Sequence, residues 1–503
     1  MKKSKIISVQ NLKIYSKEIV LVRGISFDVN ENSILGIIGE SGSGKSLTAL
    51  SILNLIKYKG LSQTGKIFFK NELISKSNID EIIKTKISIV FQDPMSFLNP
   101  SMRCGNQINE ALNLKNKNRV LDLIKKVKIS NPEETYYKYP HELSGGQQQR
   151  IMIAIAIAKN PKLIIADEAT SSLDSLIKKD IINLLVELKK EYSTSLIIVS
   201  HNLNLISSLS NHVLVMNKGQ IVEQGPANEV FKYPRETYTK NLIKKNKLIK
   251  RNSRRKIINK KVILKIKNLE LSIGNKKILN DINFKIHEGE TLGLIGQSGS
   301  GKTTISKCIT GFYKKYQGEI IYDELNVREI SRYNLSRRIQ LIFQDPYSAL
   351  NPNIRIINQV INPIRIHNKL NKEEASILAI DYLKKVKLNE NLFNKYPSEL
   401  SGGERQRVVI ARALSLKPKL LICDECVSAL DKSIQNSILK LLNELKNELK
   451  LTFIFISHDL SLIKFMSDKI VVLKNGKIVD QNSSNALFKK PKEYTKQLIK
   501  AII

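Results

Sequence analysis

The chain has 503 residues, long enough for more than one core, and its 42% hydrophobic and 25% charged residues are the balance of a folded protein rather than a disordered one. The formal net charge is +36, but Lys, Ile and Asn are abundant throughout, so the excess reads as compositional bias and no nucleic-acid partner is expected. No apolar run reaches the roughly 18 residues of a membrane span, and the opening MKKSKIISVQ lacks the apolar stretch of an export signal, so a cytoplasmic location is expected.

The first legible element is ILGIIGESGSGKSLTAL at 34–50, an apolar β-run, a glycine loop and a helix start, which is the context a phosphate-binding loop demands. Its loop is Gly39, Glu40, Ser41, Gly42, Ser43, Gly44, Lys45 and Ser46. The glycines let backbone amides turn toward phosphate oxygens, Lys45 reaches the terminal phosphates, and Ser46 ligates Mg²⁺ at the helix N-terminus. FQDPMSFLNP follows at 91–100. LSGGQ then precedes QQQRIMIAIAIAK, whose spacing is helical, so Ser144, Gly145, Gly146 and Gln147 open a helix whose N-terminus suits an anion.

KLIIADE ends in the acids Asp167 and Glu168. A buried strand that delivers two carboxylates at its edge can turn one to a nucleotide's metal and leave the other to deprotonate water, so Asp167 fits the metal role and Glu168 the base. The plain alternative is a solvated acid pair capping a strand, which the phosphate loop upstream disfavours. IKKDIINLLVELKKEY has apolar residues at three and four spacing and reads as an amphipathic helix covering a sheet. VLVMNKGQIVEQG reads as a hairpin turned at Lys218-Gly219.

The whole series then repeats. GESGSGKS at 39–46 returns as GQSGSGKT at 296–303, giving Gly296, Gln297, Ser298, Gly299, Ser300, Gly301, Lys302 and Thr303. At the same offset LSGGE returns with Ser401, Gly402, Gly403 and Glu404, KLLICDE with Asp424 and Glu425, and Ser-His at 457–458 answers Ser-His at 200–201. FQDPYSALNP returns at 343–352. A period this long means duplicated domains rather than a solenoid. The expected division is a domain over 1–245, a basic linker over 246–261 and a second domain over 262–503, the second opening with VILKIKNLEL as the first does with IISVQNLKI. The fold class is α/β, with a mixed sheet core, an antiparallel β part and a helical part around the LSGG segment.

Phosphate loop, FQDP, LSGGQ, acid pair, SSLD or SALD, and a histidine together resemble the ATP-binding domain of ABC proteins, over nearly all of both halves. The resemblance implies ATP and Mg²⁺ as ligands and hydrolysis as the reaction. It implies that Gln92 and Gln344 sense Mg²⁺ and the attacking water, and that His201 and His458 hold the γ-phosphate. It also implies that each LSGG segment closes on the nucleotide of the other domain, so that a working unit needs two of every part. FQDPxSxLNP, YPHELSGG and the terminal YTKNLI and YTKQLI resemble most the ATPases of the oligopeptide, dipeptide and nickel importer group, some of which carry both domains on one chain. The implied partners are two integral membrane permease subunits and, indirectly, an extracytoplasmic solute-binding protein, with the ATPase at the cytoplasmic face of a bacterial inner membrane. A rival from another class is a soluble twin-domain translation factor of the ABC-F kind, but those use a long charged helical linker where this chain has a short basic one.

Three letters depart from the family pattern. Glu404 stands where the signature usually has Gln, which puts an acceptor-only carboxylate beside an expected polyphosphate. The aromatic that stacks on adenine is displaced, with Ser16 and Ile273 at the aligned positions and Tyr15 one residue away. Ala169 and Cys426 replace the proline after the acid pair. The last change makes Cys423-Asp-Glu-Cys426 a formal CxxC, yet no second cysteine or histidine pair is spaced to complete a metal site. The transported solute, and whether the halves close within one chain or on a second copy, are not written in these residues.

Overall fold

The computed structural model describes residues 4–75, 77–113, 116–170, 175–246, 261–428 and 430–500. Of the basic linker expected over 246–261, only Asn246 and Lys261 fall among them. The chain folds as two units that divide between Lys247 and Leu248.

Among the described residues the first unit contains ten strands: β1 (Lys5–Ser16), β2 (Ile19–Asn30), β3 (Ile34–Ile38), β4 (Ser62–Phe69), β5 (Glu72–Leu73), β6 (Ile87–Val90), β7 (Leu163–Asp167), β8 (Ser195–Val199), β9 (His212–Asn217) and β10 (Gln220–Pro226). They form an antiparallel sheet of order β2-β1-β4-β5 and a six-stranded sheet of order β10-β9-β3-β8-β7-β6. In the larger sheet β9, β3, β8, β7 and β6 run parallel and only β10 is antiparallel. Every residue of β3, β7 and β8 is buried, as expected of short apolar runs covered on both faces.

Side chains alternate across this sheet, as the strand period requires. Ile34, Ile38, Ile164, Ala166, Leu196 and Ile198 join a core with the helices Cys104–Leu112, Gly145–Ile157 and Ser175–Glu191. Leu35, Ile37, Leu163, Ile165, Ile197 and Val199 join a second core with β1, β2 and the helix Lys45–Ile52. Each fully buried aliphatic side chain contributes about 1.5–3 kcal/mol of transfer free energy, which holds the central strands in one register.

The second unit repeats the plan with β11 (Val262–Ile273), β12 (Lys276–His287), β13 (Thr291–Ile295), β14 (Gln317–Tyr322), β15 (Leu325–Asn326), β16 (Ile339–Ile342), β17 (Leu420–Asp424), β18 (Thr452–Ile456), β19 (Lys469–Lys474) and β20 (Lys477–Ser483). Its sheets have orders β12-β11-β14-β15 and β16-β17-β18-β13-β19-β20. These are the orders of the first unit strand for strand, so the duplication read in the letters extends to topology. The α/β class, with mixed and antiparallel sheets, is what the structure shows. The expected hairpin forms as β9–β10 about Lys218-Gly219, and β19–β20 makes its counterpart about Asn475-Gly476.

Candidate functional site

In an open parallel sheet, ligands sit beyond the carboxyl ends of the strands. Adjacent strands β3, β8, β7 and β6 deliver there the glycine loop, Ser200-His201, the acid pair and Phe91-Gln92. Strands β13, β18, β17 and β16 do the same in the second unit with Gly296, His458, Asp424-Glu425 and Gln344. Residues scattered over more than a hundred positions thus meet at one edge of each sheet.

The glycine loop is shaped by steric exclusion. A Cβ on Gly39 would lie 2.3 Å from the Met216 carbonyl oxygen, and one on Gly296 equally close to that of Leu473. Lys45 Nζ is buried and donates to the carbonyls of Gly39 at 3.1 Å and Glu40 at 2.8 Å. Lys302 Nζ donates likewise to Gly296 at 2.8 Å and Gln297 at 2.9 Å. Each loop therefore wraps an ammonium group, which favours an anion at that point.

Ser46 Oγ, at the start of the helix Lys45–Ile52, donates to Asp167 Oδ1 at 2.9 Å. In the second unit Thr303 stands beside Asp424, whose Oδ1 is buried without a hydrogen-bond partner among the described residues. Burial pushes the Asp424 carboxyl above its usual range. A hydroxyl beside a carboxylate with an unsatisfied buried oxygen is a donor set that fits Mg²⁺, a hard cation that takes oxygen ligands. Among the described residues no cluster of three His, Cys, Asp or Glu offers an alternative metal site.

The second acid of each pair leaves its strand through left-handed backbone, φ 46° at Glu168 and 49° at Glu425. Such a conformation is strained for a residue with a side chain and concentrates at functional sites. It is held by Glu168 N donating to Val199 O and Glu425 N to Ile456 O, each at 3.0 Å. His201 Nδ1 lies 3.5 Å from Glu168 Oε1, and His458 Nδ1 lies 3.2 Å from Glu425 Oε2. The bond from His201 holds the Glu168 carboxyl below its usual range against the opposing effect of burial. Gln344 Nε2 also donates to Glu425 Oε2, at 3.3 Å. Glutamine and histidine thus converge on the Glu425 carboxylate in the second unit, and histidine meets the Glu168 carboxylate in the first.

The LSGG segments open the helices Gly145–Ile157 and Gly402–Leu414 through reciprocal capping boxes. Ser144 N donates to Gln147 Oε1 at 3.1 Å; Ser401 N and Oγ donate to Glu404 Oε2 at 2.8 and 2.7 Å. The odd carboxylate of the second signature is therefore turned back onto its own helix cap. Gly146 and Gly403 permit close helix contact, since a Cβ would approach Ile177 Cγ2 to 2.9 Å and Ile434 Cγ2 to 2.5 Å. Ser171 to Asp174 of SSLD and Ala429 of SALD lie outside the described residues.

Some supporting residues escaped the sequence reading. Gln107 accepts from Asn99 N and donates to the carbonyls of Asn99 and Met102, clamping the LNP turn. Gln359 does the same for Asn351 and Ile354. Both stand eight places after the turn asparagine, so comparing the repeats beyond the decapeptide would have found them. Tyr238 Oη, in the YTKNLI phrase, accepts from Glu40 N at 3.2 Å and ties the helix Thr237–Asn246 to the glycine loop. The positions aligned with an adenine-stacking aromatic end β1 and β11: Ser16 pairs with Ile19, and Ile273 is 48% exposed.

The family described as ABC transporter matches residues 22–171 and 279–428, once in each unit. The peptidoglycan transport ATP-binding protein YejF of Agrobacterium fabrum is 35% identical to this chain over 507 residues, covering 96% of the chain and 93% of the relative. The glutathione import ATP-binding protein GsiA of Escherichia coli K12 is 33% identical over 556 residues, covering 99% and 89%. An uncharacterized ABC transporter ATP-binding protein, YejF of the same strain, is 34% identical over 514 residues, covering 95% of each.

Proposed function

From the premise that the chain belongs to the ABC transporter family and is an ATP-binding ATPase of that kind, we propose that it energises a bacterial importer for peptides or peptide-like solutes. The observation that carries this reading is the pair of complete sites on one chain, together with relatives of the same tandem length whose names speak of glutathione import and peptidoglycan transport. No helix among the described residues is long and apolar enough to cross a membrane. The pathway is therefore assigned to two integral membrane permease subunits, fed by an extracytoplasmic solute-binding protein, with this chain peripheral at the cytoplasmic face. The ATP-binding domains are taken as 1–245 and 262–503.

In this mechanism the loops of Lys45 and Lys302 hold the ATP phosphates by backbone amides and ammonium charge. Ser46, Asp167 and Gln92 in one half, and Thr303, Asp424 and Gln344 in the other, would hold Mg²⁺, which when bound neutralises charge on the phosphate oxygens. Glu168 and Glu425 take the proton of the attacking water. His201 and His458, in contact with those carboxylates, fix them and meet the γ-phosphate. Ser144 to Gln147 and Ser401 to Glu404 present helix N-termini to phosphate, each serving the nucleotide of the other half. Hydrolysis then releases the closure, and residues near Gln92 and Gln344 pass the motion to the permeases.

The test is affinity purification of the tagged chain from detergent-solubilised membranes after a high-salt wash. Two multi-span proteins at stoichiometric amounts are expected. Recovery of ribosomal proteins without membrane proteins would overturn the importer reading in favour of a translation factor.

A further inference from the structure

The segments that carry the two histidines are built alike and held unequally. Past β8, Asn202 N donates to Ser200 Oγ at 3.0 Å, and Asn202 Oδ1 accepts from Leu205 N at 3.2 Å to cap the helix Leu203–Leu209. Past β18, Asp459 does the same work. Its N–H donates to Ser457 Oγ at 3.0 Å, and its Oδ1 accepts from Ser461 N at 2.8 Å to cap the helix Leu460–Met466. Asp459 has a second oxygen to give, and its Oδ2 lies 3.3 Å from Lys432 Nζ. Lys432 follows the SALD of 428–431 and begins the helix Lys432–Leu449. The first half has Ser175 and Asn202 at these two places, and neither carries a charge, so the ion pair has no counterpart there.

Lys432 is costly to its own helix. A cation in the first turn opposes the helix dipole, and the capping acid, Asp431, is engaged with Ile434 N at 2.9 Å. Asp459 offsets that cost. Burial opposes the charge of Asp459, and Lys432 beside it holds the carboxyl below its usual range. The histidine between Ser457 and Asp459 differs accordingly. The His458 side chain is 20% exposed with Nδ1 3.2 Å from Glu425 Oε2, whereas that of His201 is 44% exposed and 3.5 Å from Glu168 Oε1.

We propose that Lys432 is a positioning residue of the second ATP site: its ion pair with Asp459 ties the helix after SALD to the segment that carries His458 and so seats the imidazole against Glu425. Ser457 N, donating to Leu294 O at 3.3 Å, fixes the same segment from the other side, on the strand that leads into the glycine loop. That bond has its equal in the first half, Ser200 N to Ile37 O at 3.2 Å, so the ion pair is the tie that the second half adds. The second half therefore holds its histidine in place before nucleotide arrives, and the first must order His201 when it binds. The consequence for turnover rests on the reading of His458 and Glu425 as hydrolytic groups; the seating of His458 does not.

The experiment uses the full chain and the variants Lys432→Ser and Asp459→Asn, which give the second half the letters that the first already folds with, together with their double variant and Lys432→Arg. In steady-state ATPase, kcat should fall about 3- to 5-fold in either single variant, the upper range for an ion pair that is not fully buried, with KM for ATP unchanged. The double variant should lose no more than a single one, because the two groups act as a unit, and Lys432→Arg should restore most of the rate. Histidine NMR of the nucleotide-free chain, with the His458 signal identified by its loss in His458→Ala, gives a readout apart from activity. That signal should shift in Lys432→Ser and stay in place in Lys432→Arg. An unmoved His458 signal in Lys432→Ser, or rate losses that add in the double variant, would overturn the proposal. Wild-type protein without ATPase would instead count against the functional reading, and the NMR signal would still decide whether Lys432 seats His458.

Discussion

The two halves carry the same reacting groups and support them differently. In the first, Phe91 stacks on Phe97 with ring centroids 3.5 Å apart, and Gln148 is buried in the signature helix, donating to the carbonyls of Pro140 and Leu143. In the second, Phe343 is 49% exposed because Ala349 replaces the stacking partner. Arg405, in place of Gln148, lies over the Tyr347 ring at 5.2 Å. The first half thus braces its glutamine loop by ring stacking, and the second by a cation on the signature helix. Duplication has kept the residues assigned to phosphate and water while the residues that brace them drifted apart.

The largest effect that can break this comparison is loss of the assigned bases. Glu168→Gln together with Glu425→Gln should lower turnover by about 10²-fold or more while ATP still binds, as steady-state ATPase would report. The single variants sharpen the comparison: equal losses mean equivalent halves, and unequal losses mean that the extra Gln344 contact on Glu425 matters.

The metal-side acids should separate the halves in stability. Asp424 has a folded pKa above its unfolded one, so its ionised form opposes folding, and stability is regained as pH falls through the folded value. Asp424→Asn should raise the apo melting temperature while removing turnover, by about 2–4 °C for each kcal/mol relieved in a domain of this size. Asp167→Asn disturbs the bond from Ser46 and should give no such rise. Scanning calorimetry of both variants checks the contrast.

Smaller changes test the braces. Arg405→Gln gives the second signature helix the first half's letter and should cost about 0.5–1 kcal/mol, the worth of an exposed cation–π contact, read as a lower melting temperature. Glu404→Gln should leave ATPase unchanged or raised, because Gln147 makes the same helix cap; a large fall would show that the carboxylate has a role beyond capping. The smallest effect is on pH dependence. The Glu168 carboxyl is held below its ordinary value of 4.5, so it stabilises the fold above that value and loses this as pH falls. The stability gap between wild type and Glu168→Gln should close below about pH 4.5, as denaturant titrations across pH would show.

These contrasts also mark what the sequence could carry. Glycine loops, acid pairs and histidines were legible because phosphate, metal and water chemistry admit few side chains, and their recurrence at one offset excluded chance. The parallel core was legible from its short apolar runs. Gln107 and Gln359 were not, because an amide that bonds only to main-chain N–H and carbonyl groups leaves no chemical letter. Glu404 was read as a charge facing phosphate, although the spacing Ser401 to Glu404 is itself that of a capping box; the local backbone competes for the carboxylate and holds it.

The measurement that tests the central claim most directly is the number of ATP molecules held by the Glu168→Gln, Glu425→Gln variant, by equilibrium dialysis with labelled nucleotide and Mg²⁺. Two per chain are expected, one for each matched segment. A plateau at one or none would contradict the account of two complete sites on one polypeptide.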